Sequence, residues 1–373
     1  MNDLTKYFQY IPLILAGLAF SALLTPLVIK VALKFGVFDK PKSLLGKDKS
    51  VLDTNLHDKI MPRMGFAAVI IPVIIIVPFF VHINLQIISI ILSLIIMGIF
   101  GIFDDKYRLS AGPQFIVQIL CVLLVIGTGT IIHEVNNPLT DTFLNFDRGH
   151  FSLLILGNQI SFTVLSLIVS FIWIMGIMNA IAWADGIDGV LNGTIAIASL
   201  VILLVSIREN SLLSAVISAI FLGANLGILP YNFAPAKIIN GFGGSIYGYL
   251  IGVLSILGQV KLSIAAIALL IPILDVIWVM VYRIRKYKPK TIKSFLKAIS
   301  TPGKVHFQHR LLELSGSTRK VALAEYILTG FVGLVAIALS GLSLTFIIFG
   351  SVLCVLLVFV FIDRMNHKKI ISK

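Results

Sequence analysis

The sequence predicts an all-α fold, a polytopic membrane protein of about eleven transmembrane helices in a single domain over residues 1–373. Three observations predict it. The chain is 58% hydrophobic and only 13% charged, a composition that soluble domains rarely have. Long runs such as Phe66–Ile83 and Leu342–Ile362 contain no lysine, arginine, aspartate or glutamate, as helices that cross a bilayer require. No soluble domain or low-complexity segment interrupts these runs.

The predicted helices follow one another along the whole chain, and most are about as long as a bilayer crossing needs. The eighth segment is short and rich in glycine, and the tenth carries Glu325 near its start. The predicted segments are Tyr10–Leu33, Phe66–Ile83, Leu85–Phe103, Phe115–Ile132, Phe162–Trp183, Val190–Ile207, Ser211–Leu229, Ser245–Leu257, Ser263–Tyr282, Val321–Leu339 and Leu342–Ile362.

The distribution of basic residues predicts the orientation of the chain. Its net charge is +13, from 30 basic and 17 acidic residues. Lysine and arginine concentrate in residues 34–65, in the C-terminal tail and in a large basic loop at 283–320, whose only acid is Glu313. By the positive-inside rule these segments are cytoplasmic. We therefore expect a multi-pass protein of the cell (plasma) membrane, with the N-terminus outside and the C-terminus inside.

The sequence disfavours nucleic acid binding and a metal site built from cysteines. Nucleic acid binding would need basic residues interleaved with aromatics in a recognised fold, and none is present. Cys121 and Cys354 both lie inside apolar runs, far from metal-ligand spacing, so they are expected to pack in the core.

The segment His133–Ser161 is longer than a simple connection between helices. Asn136-Asn137-Pro138 is typical of a turn, and Phe151–Leu156 followed by Gly157-Asn158 favours a strand with a turn. With Arg148 its only lysine or arginine, it is expected outside the cytoplasm, as a small hairpin-like loop.

Polar residues concentrate in the loops predicted to be cytoplasmic, and the outer loops offer no comparable set. Four such loops would bring carboxylates, amides, imidazoles and amines to one membrane face. The residues concerned are Asp104, Asp105, Asp185, Asp188, Asn232, Lys237, His306 and His309.

The stretch Asn179–Val190 holds Asp185 and Asp188 three residues apart, each followed by glycine. Carboxylates at a membrane boundary are costly unless they face water, a metal or a partner. If the segment were helical, the two side chains would share one face. The simpler interpretation is a glycine-rich turn with solvated acids.

The remaining polar residues each allow a functional and a simpler interpretation. Asp104 and Asp105 at the end of a span suit a metal or phosphate site, or merely begin a solvated loop. Lys237 suits a ligand anion or interfacial anchoring. The stretch His306-Phe-Gln-His-Arg310 suits polyphosphate or lipid head groups. Asp275 lies within a predicted span, and an ionisable residue there suggests a functional site. The simpler interpretation is an acid close to the inner membrane interface.

Taken in order, these motifs resemble the polyprenyl-phosphate N-acetylhexosamine-1-phosphate transferases, glycosyltransferase family 4. The resemblance covers nearly the whole chain and looks closer to the UDP-GlcNAc:undecaprenyl-phosphate branch than to the peptidoglycan branch. Its motifs are Pro62-Arg-Met-Gly65, Asp104-Asp105, Asn179 with Asp185-Gly-Ile-Asp188-Gly, Tyr231-Asn-Phe-Ala-Pro-Ala-Lys237, Gly241, Gly244-Ser245, Pro272-Ile-Leu-Asp275, and His306 with His309-Arg-Leu.

The resemblance implies transfer of a sugar-1-phosphate, N-acetylglucosamine-1-phosphate first, from a UDP-sugar to undecaprenyl (polyprenyl) phosphate. UMP would be released and a cell-envelope polysaccharide such as teichoic acid or lipopolysaccharide begun. The implied cofactor is Mg²⁺, with Mn²⁺ as a second choice. The implied partners are the lipid phosphate, the UDP-sugar, the membrane and a second copy in a homodimer.

The resemblance also implies roles for individual residues. Asp104, Asp105, Asp185 and Asp188 are the catalytic candidates. Of these, Asp104 is expected near the attacking phosphate, as base or orienter, and Asp185, Asp188 and Asp104 are the candidate metal ligands. The candidate substrate-binding residues are Asn179, Asn232 and Lys237 near the nucleotide, His306, His309 and Arg310 near the pyrophosphate or sugar, and Arg63.

Seven positions depart from the family pattern. Phe242 stands where a metal-binding aspartate is usual, Ala182 replaces an asparagine, Gly303 an aspartate and Gln308 a histidine. The other three are Gln114 in place of a lysine, Phe66 in place of a glycine and Ile239 in place of an aromatic residue. These departures motivate a second hypothesis, a catalytically impaired homologue that binds lipid phosphate or nucleotide. The sequence also leaves open a phospho-MurNAc-pentapeptide transferase and a transporter of a small anion, although a transporter would need polar residues across several spans.

Overall fold

The computed structural model describes residues 5–41, 57–136, 143–146, 149, 151–155, 157–258, 262–291, 294–295, 298, 305–338, 350–353, 355–360 and 362. These residues are mostly helical, as predicted, with only short strands beside the helices. The helices are α1 (Thr5–Phe8), α2 (Ile11–Lys34), α3 (Gly65–Ile76), α4 (Leu85–Tyr107), α5 (Ala111–Ile126), α6 (Val164–Trp183), α7 (Val190–Arg208), α8 (Leu212–Asn232), α9 (Gly243–Leu257), α10 (Leu262–Ala268), α11 (Leu270–Tyr287), α12 (Phe307–Ser315) and α13 (Thr318–Ala338).

Within the described residues, 6 helical segments are long and apolar enough to cross a membrane by length and composition. One is Thr5–Lys34, which joins α1 and α2, and the others are α4, α6, α7, α8 and α13. Shorter apolar helices lie between them, namely α5, α9 and the segment Gly65–Phe79, in which a 3-10 turn continues α3. The total of about eleven spans stays a prediction.

The predicted span Ser263–Tyr282 is wrong as a single helix. The chain forms α10 and then α11, with a break at Leu269. Pro272 explains the break, because proline has no N–H to donate and its ring clashes with the carbonyl group four residues earlier. That residue is Ala268, the last residue of α10.

The predicted basic loop at 283–320 contains helical parts. Residues 283–287 continue α11, and Phe307–Ser315 forms α12, which ends at Gly316 in the left-handed region with φ 65°. Residues 292–293, 296–297 and 299–304 of this loop lie outside the described residues. So do residues 342–349 of the predicted last span and the C-terminal tail at 363–373.

Three short antiparallel pairs of strands accompany the helices. Strand β1 (Phe38–Asp39) pairs with β2 (Met61–Pro62), so that Asp39 lies opposite Met61. Between α5 and α6, β3 (Glu134–Asn136) pairs with β4 (Phe143–Asn145), and β5 (Phe151–Ile155) pairs with β6 (Asn158–Phe162). Of the turn predicted there, Asn137 and Pro138 lie outside the described residues. The side of a membrane on which these strands lie stays a prediction.

Glycines allow the central helices to approach closely. Helix α2 packs along α8, and a β-carbon at Gly17, Gly223 or Gly227 would collide with a backbone carbonyl of the facing helix. Small residues at helix contacts are typical of membrane bundles, where close backbone packing stabilises association. Helix α8 also packs on α7, and α9 packs on α6. These helix pairs fix the positions of the helix ends that carry the polar motifs.

Large apolar side chains cover the outside of the bundle. Leu23, Ile172 and Ile327 are more than half exposed, although they lie in the long apolar helices. In water such a surface would be unfavourable, whereas lipid tails accept it without cost. Together with the buried hydroxyls and amides of the interior, this surface is that of a membrane protein.

Candidate active site

Several predicted site residues meet at one end of the bundle, which we call the polar end, defined by Asp105, Asp185 and Asp188. Asp105 lies in the last turn of α4, which continues to Tyr107 and ends at Arg108 with φ 55°. Its carboxylate is buried and accepts hydrogen bonds from Arg63 Nε at 2.9 Å and the Met64 backbone N–H at 3.2 Å. A buried carboxylate needs such partners.

Arg63 connects Asp105 to the β1–β2 pair. Its Nη1 lies 3.2 Å from both carboxylate oxygens of Asp39, the β1 residue opposite Met61. Arg108 also contacts Asp39. The planar guanidinium can donate to two carboxylates at once, so Arg63 links the start of α3 to the end of α4.

The backbone around Arg63 is held by the segment that precedes α9. Ile239 N–H donates to Pro62 O and Gly65 N–H donates to Ile239 O, both at 3.0 Å. Met64 adopts φ 74° and Gly241 adopts φ 64°. A β-carbon at Gly241 would collide with the Asp105 carboxylate. Glycine is therefore required at 241 for Asp105 to reach Arg63.

Asp104 faces a different neighbour from Asp105. Its Oδ1 accepts a hydrogen bond from Gln114 Nε2 of α5 at 2.8 Å. The divergence follows from the helix, in which adjacent side chains point about 100° apart. Asp105, rather than Asp104, is the one that meets Arg63 and Gly241.

Residues 185–189 form a loop between α6 and α7, so the helical arrangement considered for Asp185 and Asp188 is wrong. Gly189 precedes α7 with φ 81°, a conformation that glycine adopts without strain. Its N–H donates to Asn232 Oδ1 at 3.0 Å, and Asn232 Nδ2 donates to Ile238 O at 2.9 Å. Asn232 therefore orders the loop and the segment after α8 together.

Asp188 turns toward the segment that follows α8. Its Oδ2 accepts the Ala236 backbone N–H at 3.3 Å, and its Oδ1 lies 3.1 Å from His57 Nε2. His57 was not predicted as a site residue. No spacing pattern in the sequence connects it to Asp188.

Asp185 lies among the other charges of the polar end. The pKa of its carboxyl is raised to about 7, because burial and the negative charges of Asp105 and Asp188 outweigh the opposing effects of Arg63 and a hydrogen bond with Asn240. The three carboxylates repel one another. A cation would relieve that repulsion.

A buried chain of amides supports Asn240, and sequence reasoning missed it. Asn240 Nδ2 donates to Asn192 Oδ1 at 2.7 Å, and Asn192 Nδ2 donates to Asn225 Oδ1 at 3.1 Å. Tyr247 Oη donates to Asn240 Oδ1 at 3.4 Å. Asn192 and Asn225 are amides within apolar helices, and that is the signal by which they could have been found.

Asn179 of α6 is held by hydrogen bonds to its own helix and to α5. Its Nδ2 donates to Gln118 Oε1 at 3.2 Å and to Met175 O at 2.8 Å, and Gln118 Nε2 donates to Ser245 Oγ at 3.0 Å. This network ties α5, α6 and α9 together. The structure thus gives Asn179 protein partners.

The histidine stretch is anchored by Asp275 of α11. The Oδ2 of Asp275 lies 2.7 Å from His306 Nδ1, and its Oδ1 accepts the Phe307 N–H at 2.6 Å. All three residues are buried. Because the carboxylate engages Nδ1, the Nε2 atom of His306 is the one left to meet other groups.

Helix α12 then brings the next residues onto the 185–189 loop. A β-carbon at Gly186 would lie 2.6 Å from Gln308 Nε2 and 3.3 Å from His309 Nε2. Arg310 instead stacks its guanidinium over Trp278, at 5.2 Å from the ring centroid. Lys237 lies 5.9 Å from the Tyr231 ring centroid. His309 is thus brought to the loop, whereas the Arg310 guanidinium packs on α11.

The carboxylates of the polar end provide a partial ligand set for a divalent cation. In the described part of the chain, no three histidine, cysteine, aspartate or glutamate side chains are grouped as a metal site. Phe242 is buried and packs edge-on against Phe100, with ring centroids 5.3 Å apart. However, Mg²⁺ commonly uses one or two carboxylates plus substrate phosphates, and Asp185 and Asp188 provide two carboxylates on one loop.

The chain is similar in sequence to a known protein family and to several named proteins. A sequence profile described as "Glycosyl transferase family 4" matches residues 87–259. A "Probable undecaprenyl-phosphate N-acetylglucosaminyl 1-phosphate transferase" of Bacillus subtilis (strain 168) is 31% identical over 338 residues, 88% of this chain and 85% of that protein. A "Decaprenyl-phosphate N-acetylglucosaminephosphotransferase" of Mycobacterium tuberculosis (strain ATCC 25618 / H37Rv) is 31% identical over 255 residues, 64% of this chain and 59% of that protein.

The peptidoglycan branch matches less of the chain. A "Phospho-N-acetylmuramoyl-pentapeptide-transferase" of Staphylococcus epidermidis (strain ATCC 12228 / FDA PCI 1200) is 29% identical over 221 residues, 55% of this chain and 65% of that protein. The resemblance to the N-acetylglucosamine-1-phosphate branch, over the peptidoglycan branch, is therefore confirmed.

Proposed function

This chain belongs to glycosyl transferase family 4 and is a phosphoglycosyl transferase, and we propose that it uses a UDP-sugar and a polyprenyl phosphate. It transfers N-acetylglucosamine-1-phosphate from UDP-N-acetylglucosamine to undecaprenyl phosphate and so begins a cell-envelope polysaccharide. An oxygen of the lipid phosphate attacks the phosphorus bonded to the sugar. A new P–O bond forms, and the P–O bond to UMP breaks.

The observation that carries the proposal is the position of Asp185 amid the charges of Arg63, Asp105 and Asp188, with His309 against the same loop. Both substrates are anions that repel each other. A site that combines buried carboxylates with a guanidinium and imidazoles suits a cation together with phosphates. Positioning and electrostatics provide most of the catalysis in phosphoryl transfer.

Mg²⁺, or Mn²⁺, is the cofactor we propose, and Asp185 and Asp188 would hold it, with Asp105 beside Asp185. When bound, such a cation would neutralise charge on the pyrophosphate oxygens. Asp104 was the third predicted ligand. Its carboxylate accepts hydrogen bonds from Gln114 and from the Leu109 backbone, and we place this carboxylate near the lipid phosphate.

The remaining site residues position the two anions. Asp275 holds Nδ1 of His306, so that Nε2 faces the phosphates. His309 contacts the pyrophosphate or sugar, and Lys237 contacts the nucleotide. Arg310 would contact the same phosphates by moving its guanidinium from the face of Trp278, over which it stacks. Arg63 acts through Asp105, whose carboxylate it orients.

The site faces the cytoplasm in this proposal, with the N-terminus outside and the C-terminus inside. The basic segments at 34–65 and 283–320 support that orientation through the positive-inside rule. The polar end then lies where cytoplasmic UDP-sugars reach it. A homodimer is compatible with this arrangement.

The test is a transfer assay. Membranes containing the protein are incubated with undecaprenyl phosphate, Mg²⁺ and a panel of radiolabelled UDP-sugars. A lipid-linked product is expected with UDP-N-acetylglucosamine, and Asp104→Asn and Asp185→Asn should abolish it. Glu209→Gln, at the far end of α7, is the matched carboxylate control. The absence of product with every UDP-sugar and divalent metal would overturn the proposal.

A second candidate function is a catalytically impaired homologue that retains ligand binding. The buried position of Phe242 against Phe100, where the family resemblance implies a metal-binding aspartate, favours it. An inactive wild type that gains transfer on Phe242→Asp would establish this second function. An active wild type would exclude it.

A further inference from the structure

Gln308 is a buried amide in the first turn of α12, and it is 3% exposed. Neither its Nε2 nor its Oε1 has a hydrogen-bond partner among the residues that the structure describes. Burying a carboxamide without hydrogen bonds is unfavourable, and such an exception in a native protein requires an explanation.

The Gln308 carboxamide lies against the loop that carries Asp185 and Asp188. A β-carbon at Gly186 would come within 2.6 Å of Gln308 Nε2 and 3.4 Å of its Cδ. Any residue larger than glycine would displace the amide. Gly186 therefore lets the carboxamide reach the candidate active site.

The start of α12 is fixed, so this placement is built into the fold. Asp275 accepts the Phe307 N–H at 2.6 Å and engages His306 Nδ1 at 2.7 Å. The residues directly before Gln308 are thus tied to α11. Moving the backbone of Gln308 away from the loop would require breaking these buried bonds, so the carboxamide stays within reach of the 185–189 loop.

We propose that the Gln308 carboxamide recognises an amide group of the sugar-nucleotide donor, through a paired donor and acceptor. A phosphate offers only acceptors and would leave Oε1 unsatisfied. A ligand that presents an N–H beside a carbonyl satisfies both atoms. In UDP-N-acetylglucosamine, that chemistry occurs in the imide of uracil. The acetamido group of the sugar is a trans amide whose N–H and carbonyl point in opposite directions, so it satisfies only one of the two Gln308 atoms. The inference rests on the proposed function for the identity of the donor.

The experiment measures ligand binding to the purified full-length protein in nanodiscs. The probes are UMP, UDP-glucose, UDP-N-acetylglucosamine and inorganic pyrophosphate. The variants are Gln308→Met, which keeps the side-chain length without hydrogen-bonding groups, and Gln86→Met as control. Gln86 donates to Gly129 O at 3.3 Å near the opposite end of α4.

Gln308→Met is expected to weaken UDP-N-acetylglucosamine binding about ten- to hundredfold, the loss that two hydrogen bonds produce. Pyrophosphate affinity should stay unchanged. An equal loss for UMP and UDP-glucose assigns the paired contact to uracil. A loss confined to UDP-N-acetylglucosamine would leave a single hydrogen bond to the acetamido group and would overturn the pairing. The ligand-free variant should also melt at a higher temperature, because an unpaired buried amide is gone.

Two further results would overturn this inference without affecting the proposed function. One is wild-type affinity of Gln308→Met for every uridine ligand. The second is a matching loss for pyrophosphate, which would make Gln308 an anion contact or a structural residue. If the wild type binds UDP-N-acetylglucosamine but transfers nothing, only the proposed function fails. If the wild type binds no uridine ligand, both fail.

Discussion

Nδ1 of His306 lies 2.7 Å from Oδ2 of Asp275, across the junction between α11 and the start of α12. The same carboxylate accepts the Phe307 N–H through Oδ1. One buried acid therefore sets both the orientation of the imidazole ring and the first turn of the helix that carries Gln308 and His309. Asp275 is a positioning residue in this arrangement.

Asp275→Asn should lower kcat about 10- to 100-fold, the usual effect of removing a carboxylate that orients a functional histidine. Asparagine has one oxygen in place of the two carboxylate oxygens, and its –NH₂ group cannot accept a hydrogen bond. Either the Phe307 N–H or the His306 Nδ1–H would therefore lose its acceptor. KM for the lipid phosphate should change little. Steady-state kinetics in detergent measure both constants. Glu313→Gln, an exposed acid on α12, is the control, and an unchanged kcat in Asp275→Asn would contradict this role.

Arg63→Ala should destabilise the protein by about 3–5 kcal/mol, because it leaves the buried Asp105 carboxylate unpaired. Arg63→Lys should recover only part, since an ammonium cannot donate to Asp105 and Asp39 with the geometry of a guanidinium. Denaturant titration in mixed micelles measures the difference. The double variant Arg63→Ala/Asp105→Asn should be more stable than Arg63→Ala. If it is less stable, the pair does not account for the loss.

The raised pKa of Asp185 predicts that the folding stability of the metal-free protein depends on pH. Its pKa is about 7 in the folded state against an ordinary 3.8, so the unfolded chain releases this proton first as pH rises. The folded state therefore loses stability between about pH 4 and pH 7. Asp185→Asn removes this loss and should raise the melting temperature at pH 8, but not at pH 4, by on the order of a few degrees.

Mg²⁺ should reverse that difference, because a carboxyl that binds a cation must release its proton. Melting curves at pH 4, 6 and 8, in chelator and then in Mg²⁺, test both statements. Parallel curves for wild type and Asp185→Asn under all conditions would show that Asp185 neither titrates in this range nor binds the cation.

Gly241→Ala should reduce transfer strongly and destabilise the fold. Its φ of 64° is unfavourable for alanine, by roughly 1–2 kcal/mol, and the new β-carbon collides with the Asp105 carboxylate. Gly112→Ala is the matched control, because no described atom lies within 4 Å of a β-carbon there. Thermal melting and the transfer assay distinguish the variants. Equal behaviour of the two would contradict the close approach of Gly241 to Asp105.

Gly223→Leu should separate α2 from α8 and prevent correct assembly of the bundle. A side chain at Gly223 would overlap the carbonyl of Ile14, and membrane helices rely on such close packing. Gly330→Leu on α13 has open space around its β-carbon and should be tolerated. Yield of monodisperse protein after solubilisation measures the effect. A normal yield for Gly223→Leu would show that the contact is dispensable.

The sequence by itself determined the membrane class and the chemical inventory of the site. Apolar runs specify helices because a backbone in lipid must satisfy its own hydrogen bonds. The order of the motifs around Asp104-Asp105, Asp185, Asp188 and His306 indicated the family, which the comparisons confirmed. The break between α10 and α11 was not predicted, although Pro272 is visible in the sequence. The apolar residues around it continue without interruption, so composition alone does not show that the helix ends there.

Only the tertiary structure decided which side chains meet. Asp104 and Asp105 are neighbours in sequence, yet one faces Gln114 and its neighbour faces Arg63, because the phase of α4 separates them by about a third of a turn. His57 reached the site from a distant segment that no spacing pattern connects to it. Contacts between residues far apart in sequence depend on helix packing and loop conformation, and composition and periodicity carry no record of either.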